Sequence, residues 1–242
     1  KKSDLLALTL QCKQFNRIIS NSFMDVISLY FSPRKLTTEW IGSRKYTSVK
    51  FQNNYFYFME SVNILTKIGH DINTLSMGNV IIESSTLKVI LSLCKNLKVL
   101  ELPEIKEEVT EEVFLTNLPS LDLDVLKCDV ESGRALRLLT ASSTKHLTFE
   151  NAQESDVESL IGFLKVQKNL EYLCLHCENV DLEPFNSNAL KNVDFRLKTM
   201  KLYGIEIPDP QNFLEFINNH AETLTHVEFL YSSSSSMVNC LK

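Results

Sequence analysis

Apolar residues recur along this chain in a short phrase, apolar-x-x-apolar-x-apolar. The clearest copies are Leu97/Leu100/Leu102, Leu170/Leu173/Leu175, Leu197/Met200/Leu202 and Leu224/Val227/Phe229. Weaker copies fall at Tyr46/Val49/Phe51, Ile72/Leu75/Met77, Leu123/Leu126/Cys128 and Thr144/Leu147/Phe149. They begin at residues 46, 72, 97, 123, 144, 170, 197 and 224, so successive copies are 26, 25, 26, 21, 26, 27 and 27 residues apart. Alternation over the last positions of the phrase predicts a strand with one buried face. Between strands the apolar spacing changes to that of a helix face, as in Leu87/Ile90/Leu91/Cys94, Val157/Leu160/Ile161/Leu164 and Phe213/Phe216/Ile217/His220. One unit is therefore a short strand followed by a helix.

Neither element of such a unit can bury its apolar face alone, so successive units must stack. The period lies within the roughly 20–29 residues of leucine-rich repeats. With its helix-bearing units, the chain resembles the ribonuclease-inhibitor-like horseshoe of that class. The expected fold is thus α/β: a leucine-rich-repeat solenoid of eight strand–helix repeats over residues 46–231, with parallel strands inside the arc and helices outside. Asn, expected at the ninth position of each unit, stands there only at Asn54; Asn79, Asn151 and Cys177 sit one position early. The seventh unit has two readings, since Leu190/Val193/Phe195 also fits; the 27-residue spacing on both sides favours Leu197/Met200/Leu202. The short 21-residue interval predicts a stunted helix around Leu136, Leu138 and Leu139. After the repeats comes an aperiodic Ser-rich tail, residues 232–242.

Residues 4–19 place Leu5, Leu8, Cys12, Phe15 and Ile19 on one helical face. Asp4-Leu5, Leu8 and Cys12-Lys13, followed by Phe15, resemble the second half of an F-box, D-L-x-x-L-x-x-V-C-K with an aromatic residue after it. Gln11 departs from the valine of that pattern, and the opening L-P-x-E half is expected upstream of Lys1. The reading assigns residues 1–31 to a helical F-box remnant and 32–45 to a linker. F-box proteins with leucine-rich repeats are substrate-recruiting subunits of cullin-RING ubiquitin ligases. The resemblance implies partners: the Skp adaptor on Leu5, Leu8, Cys12 and Phe15, the cullin scaffold beyond it, and a protein substrate on the repeats. It implies a receptor rather than an enzyme, acting by raising the effective concentration of a substrate lysine near a charged ubiquitin carrier. Two alternatives stay open: the same four side chains can pack as the segment's own core, and the repeats can be a binding scaffold with no ligase link.

Composition narrows the partners. With 25 Lys and Arg against 30 Asp and Glu the formal charge is -5, the wrong sign for a sequence-independent nucleic-acid binder. The basic stretch Arg34, Lys35, Trp40, Arg44, Lys45, Tyr46 reads as a solvated linker. No apolar run reaches the roughly 18 residues of a membrane span and no export signal opens the chain, so the expected location is the cytosol or nucleus. Six cysteines scattered through apolar segments read as reduced thiols rather than a disulfide framework.

The unit register also locates a binding surface. Positions four and six of the phrase face the core, so positions three, five and seven face the concave side. In the last four units these include His146, Tyr172, His176, Lys201, Tyr203, His226 and Glu228, with Tyr172 and Tyr203 as anchors and Lys201 and Glu228 supplying charge. The alternative is a merely solvated inner face. Cys174-x-x-Cys177 lacks a second ligand pair, and an odd spacing in a strand sends the two thiols to opposite faces, so no metal is expected. The six glycines form no phosphate loop, no nucleophile elbow is visible, and the expectation is no cofactor and no catalytic residue. Glu101, Glu104, Glu107, Glu108, Glu111 and Glu112 around Pro103 read as a solvated loop and helix start.

Overall fold

The computed structural model describes residues 26–30, 45–52, 58–78, 80–106, 119–129, 132–181, 190, 193–206 and 210–230. Its strands are β1 (Val26–Tyr30), β2 (Ser48–Gln52), β3 (Thr74–Ser76), β4 (Ile81–Ile82), β5 (Val99–Glu101), β6 (Glu104–Ile105), β7 (Asp122–Cys128), β8 (Ser143–Ala152), β9 (Tyr172–Asp181), β10 (Thr199–Glu206) and β11 (His226–Leu230). The helices are α1 (Phe58–Ile68), α2 (Ser84–Leu93), α3 (Gly133–Arg137), α4 (Glu154–Val166) and α5 (Pro210–Asn218). Nine strands form one sheet in the order β1-β2-β3-β5-β7-β8-β9-β10-β11, which is chain order with only β4 and β6 omitted. Every pairing is parallel. Parallel neighbours need a crossover, and each crossover returns the chain to start the next strand beside the last. The protein is therefore α/β, built on a mostly parallel sheet.

The register follows the apolar phrase. Val49, Leu75, Leu100, Leu126, Leu147, Leu173, Met200 and Val227 stand side by side across the sheet. All of them except Val227, on the last strand, are buried, and Phe51, Met77, Leu102, Cys128, Phe149, Leu175 and Leu202 form a second buried row. Leu87, Ile90, Leu91 and Cys94 on and just after α2, and Val157, Leu160, Ile161 and Leu164 on α4, close the same core. One continuous apolar layer thus lies between the sheet and the helices, and it leaves the other sheet face open.

Local detail explains where the spacing is irregular. The 21-residue interval holds α3, which is only 5 residues long, as the short spacing predicts. Met200 pairs with Leu173, so the strand of the seventh unit is β10, with Leu197/Met200/Leu202, while Leu190, Val193 and Phe195 are buried in the core. Two register shifts re-aim the strand ends. Three steps from Phe149 to Ala152 oppose two from Leu175 to Cys177, and Asn151 takes φ 54 at that bulge. Asn tolerates this left-handed conformation, and its side-chain amide donates to Asp129 at 3.2 Å. At a second shift two steps from Tyr203 to Ile205 oppose four from His176 to Val180, and Gly204 takes φ 65 there.

The structure corrects three expectations. Residues 26–30, inside the segment assigned to a helical F-box remnant, form β1, and Ile27 and Leu29 occupy the register positions of Val49 and Phe51. Pro103, which as position seven of the unit beginning at Leu97 belongs on the open face by the phrase, is buried, because the chain turns there into β6 and the Glu104 N–H donates to the Val80 carbonyl at 3.0 Å. Glu104 is accordingly not in a solvated loop but pairs with Ile81 in a separate two-stranded sheet, β4-β6. Residues 107–118, 1–25, the remainder of the proposed linker before residue 45 and the tail from 231 lie outside the described residues.

Candidate functional site

Three rows of side chains cross the open face of β8, β9, β10 and β11. In the first, His146, Tyr172, Thr199 and His226 are register partners. The His146 and Tyr172 rings stand 5.4 Å apart at 39°. The second row is Thr148, Cys174, Lys201 and Glu228. In the third, His176 pairs with Tyr203, whose rings meet edge to face at 5.9 Å. Strand neighbours about 4.8 Å apart make these contacts unavoidable once the register is set. All seven residues picked from the sequence, His146, Tyr172, His176, Lys201, Tyr203, His226 and Glu228, are thereby brought onto one surface.

Glu228 is the hub of that surface. Its carboxylate accepts from Lys201 Nζ at 2.9 Å and lies 3.6 Å from His226 Nε2. The Tyr203 hydroxyl donates to the same group. The Lys201 hydrogen bond, with those of Tyr203 and His226, holds the Glu228 carboxyl below the usual glutamate range against the opposing pull of desolvation. Lys201 is correspondingly raised, first by its bond to Glu228. Desolvation, then the bond to Glu228, raises the Tyr203 phenol. The charge role expected of Lys201 and Glu228 therefore changes, because the two pair with and largely neutralise each other between the tyrosines. Tyr172 is raised chiefly by desolvation beside Cys174, which is only half-buried.

Cys174 is the member of this surface that the sequence reading placed but did not select. Its register position between Thr148 and Lys201 was available from the same phrase. Cys177 is buried on the core side, so the two thiols do face opposite ways. Among the described residues no group of three or more His, Cys, Asp or Glu is placed to hold a metal ion, and no helix is long and apolar enough to cross a membrane. Leu5, Leu8, Cys12 and Phe15, the expected adaptor contacts, lie outside the described residues.

A second feature was missed altogether. At position two of the phrase, Lys98, Asp124, Lys145, Glu171 and Lys198 alternate in sign from one strand to the next. Lys145 reaches Asp124 at 2.7 Å and Lys198 reaches Glu171 at 2.8 Å, while Lys98 binds Asp122 at 3.1 Å. The signal was in the sequence, but only for a reader who compares one position across units. These pairs are exposed and screened by solvent, so they favour register more than stability.

Compared with known protein families, curated proteins and solved structures, the chain matches none. What defines its class is the parallel sheet with one face covered by helices and the other face open.

Proposed function

We propose that the strand–helix units form a leucine-rich-repeat solenoid whose open face binds a protein, and that the chain is the substrate-recognition subunit of a Skp–cullin ubiquitin ligase. The observation that carries the binding half is the joining of Tyr172, Tyr203 and their histidine neighbours on one open sheet surface. Rigid aromatic side chains with polar neighbours give large contact area at low side-chain entropy cost. The ligase half rests on the resemblance of Asp4-Leu5, Leu8, Cys12-Lys13 and Phe15 to an F-box. No nucleophile is required of this chain, because a receptor accelerates transfer by holding the substrate close to the ubiquitin carrier.

Two experiments separate the halves. Replacing Leu8 and Phe15 with Asp in the full-length protein is expected to abolish co-purification with the Skp adaptor, since each carboxylate enters a dry apolar contact. Retention of the adaptor would leave a binding scaffold without ligase association. Replacing Tyr172 and Tyr203 with Ala is expected to weaken capture of the protein that accumulates on proteasome inhibition by about thirtyfold or more, at unchanged melting temperature. Undiminished capture would move the binding surface elsewhere.

A further inference from the structure

His220 lies two residues past the end of α5, and its ring has no hydrogen-bond partner. The residue is 1% exposed, and neither Nδ1 nor Nε2 has a hydrogen-bond partner. Its ring lies parallel to Phe195 at 5.4 Å and 9°, and meets Phe216 edge to face at 4.8 Å. Phe195 precedes β10 and Phe216 is on α5, so the imidazole joins the last helix to the sheet. Its backbone is equally central: the His220 carbonyl accepts from the Thr223 and Leu224 N–H groups, which turn the chain into β11.

Neutral imidazole fits this slot as a flat ring. Imidazolium does not, because it carries two N–H donors and a charge with nothing to receive either. The charge that acts on the ring makes matters worse: the Arg196 guanidinium is fixed beside Phe195 by bonds to the Val193 carbonyl at 3.3 Å and the Phe195 carbonyl at 3.1 Å. On His220's own element the charged residues are Glu215 and Glu222, and neither carboxylate bonds the ring. Lys201, His226 and Glu228, on β10 and β11, occupy the opposite, open face of the sheet.

We propose that His220 is an acid-sensitive pin: protonation of its ring releases α5 and β11, the unit that carries His226 and Glu228, from the rest of the sheet. The consequence is a binding surface that loses one side as pH falls. Burial, with Arg196 adding, pulls the ring's pKa from the ordinary 6.5 to about 4. A depressed histidine contributes its full stability above the unfolded value and loses it as pH falls from there toward the folded value. Between pH 7 and pH 5 that linkage corresponds to local opening favoured on the order of twentyfold.

Hydrogen exchange on the full 242-residue chain tests this at those two pH values, with rates converted to protection factors. Amides of residues 210–230 are expected to lose about twentyfold in protection at pH 5, with a much smaller change across α4 and β9. In His220→Phe, which keeps an aromatic ring in the slot, the pH-dependent loss is expected to vanish. Equal losses in both proteins, or no loss in the native chain, would overturn the proposal. Should the variant fail to fold, imidazole NMR of the native chain decides: a His220 ring still neutral at pH 5 supports the pin, and one titrating near 6.5 refutes it.

Discussion

Leu173→Asp is expected to abolish the cooperative fold of the sheet around β9, whereas Glu171→Ala, two residues earlier, is expected to leave stability nearly unchanged. Leu173 is completely buried between Leu147 and Met200, its register partners on the strands to either side. A carboxylate there must either be desolvated or bind a proton, and several kcal/mol is lost either way. Domains of this size are stable by only about 5–15 kcal/mol, so such a loss is a large share of the whole. The damage spreads, because each strand is buried by its neighbours in sequence. Glu171 faces solvent and pairs with Lys198 at 2.8 Å, with side-chain exposures of 42% and 58%. Urea titration followed by circular dichroism measures both costs. Equal effects would mean that the strand is out of register by one residue.

Gln167→Leu is expected to remove about 3 kcal/mol although it exchanges one buried side chain for another of similar size. The Gln167 side-chain carbonyl accepts from the Thr144 N–H at 3.0 Å, and its amide donates to the Ser142 carbonyl at 3.1 Å and the Phe163 carbonyl at 3.3 Å. This buried side chain thus completes the end of α4 and the start of β8 together. Leucine keeps the volume but leaves backbone groups of β8 and α4 dry and unpaired. At roughly 2–4 °C per kcal/mol the melting temperature falls by about 10 °C. Calorimetry that shows the variant within 2 °C of the native chain would mean that water replaces the amide.

The contrast between Leu173 and Gln167 shows which parts of the fold were legible in sequence. Leu173 belongs to a phrase whose spacing is imposed by strand geometry, and the same physics repeats in every unit. Strand positions, the buried rows, the stunted α3 and the open-face neighbours of Tyr172 could all be read from it. Gln167 acts once, through atoms whose partners are set only when α4 meets β8, and no period marks it. The same holds for Pro103, which is buried by a turn into β6, and for Asn151, whose bulge breaks alternation at the strand end. β1 was overlooked for another reason: the amphipathic stretch before it drew the whole segment into one helical reading. At the candidate surface, residue identity and proximity were legible, but the mutual neutralisation of Lys201 and Glu228 was not, since pairing depends on side-chain reach rather than position.

The buried cysteines make the protein a recorder of its own opening. Burial pushes the Cys94 and Cys177 thiols up to about 12 and Cys128 higher still. None of the three yields appreciable thiolate at neutral pH, and thiolate is the species that alkylates or oxidises. Cys94 follows α2, Cys128 ends β7 and Cys177 lies on β9, so each is sealed by a different part of the sheet. Mass-resolved labelling by a maleimide would time the exposure of each, with half-buried Cys174 reacting first of the four cysteines among the described residues. Oxidative stress acting on this molecule would likewise report, residue by residue, which part had breathed.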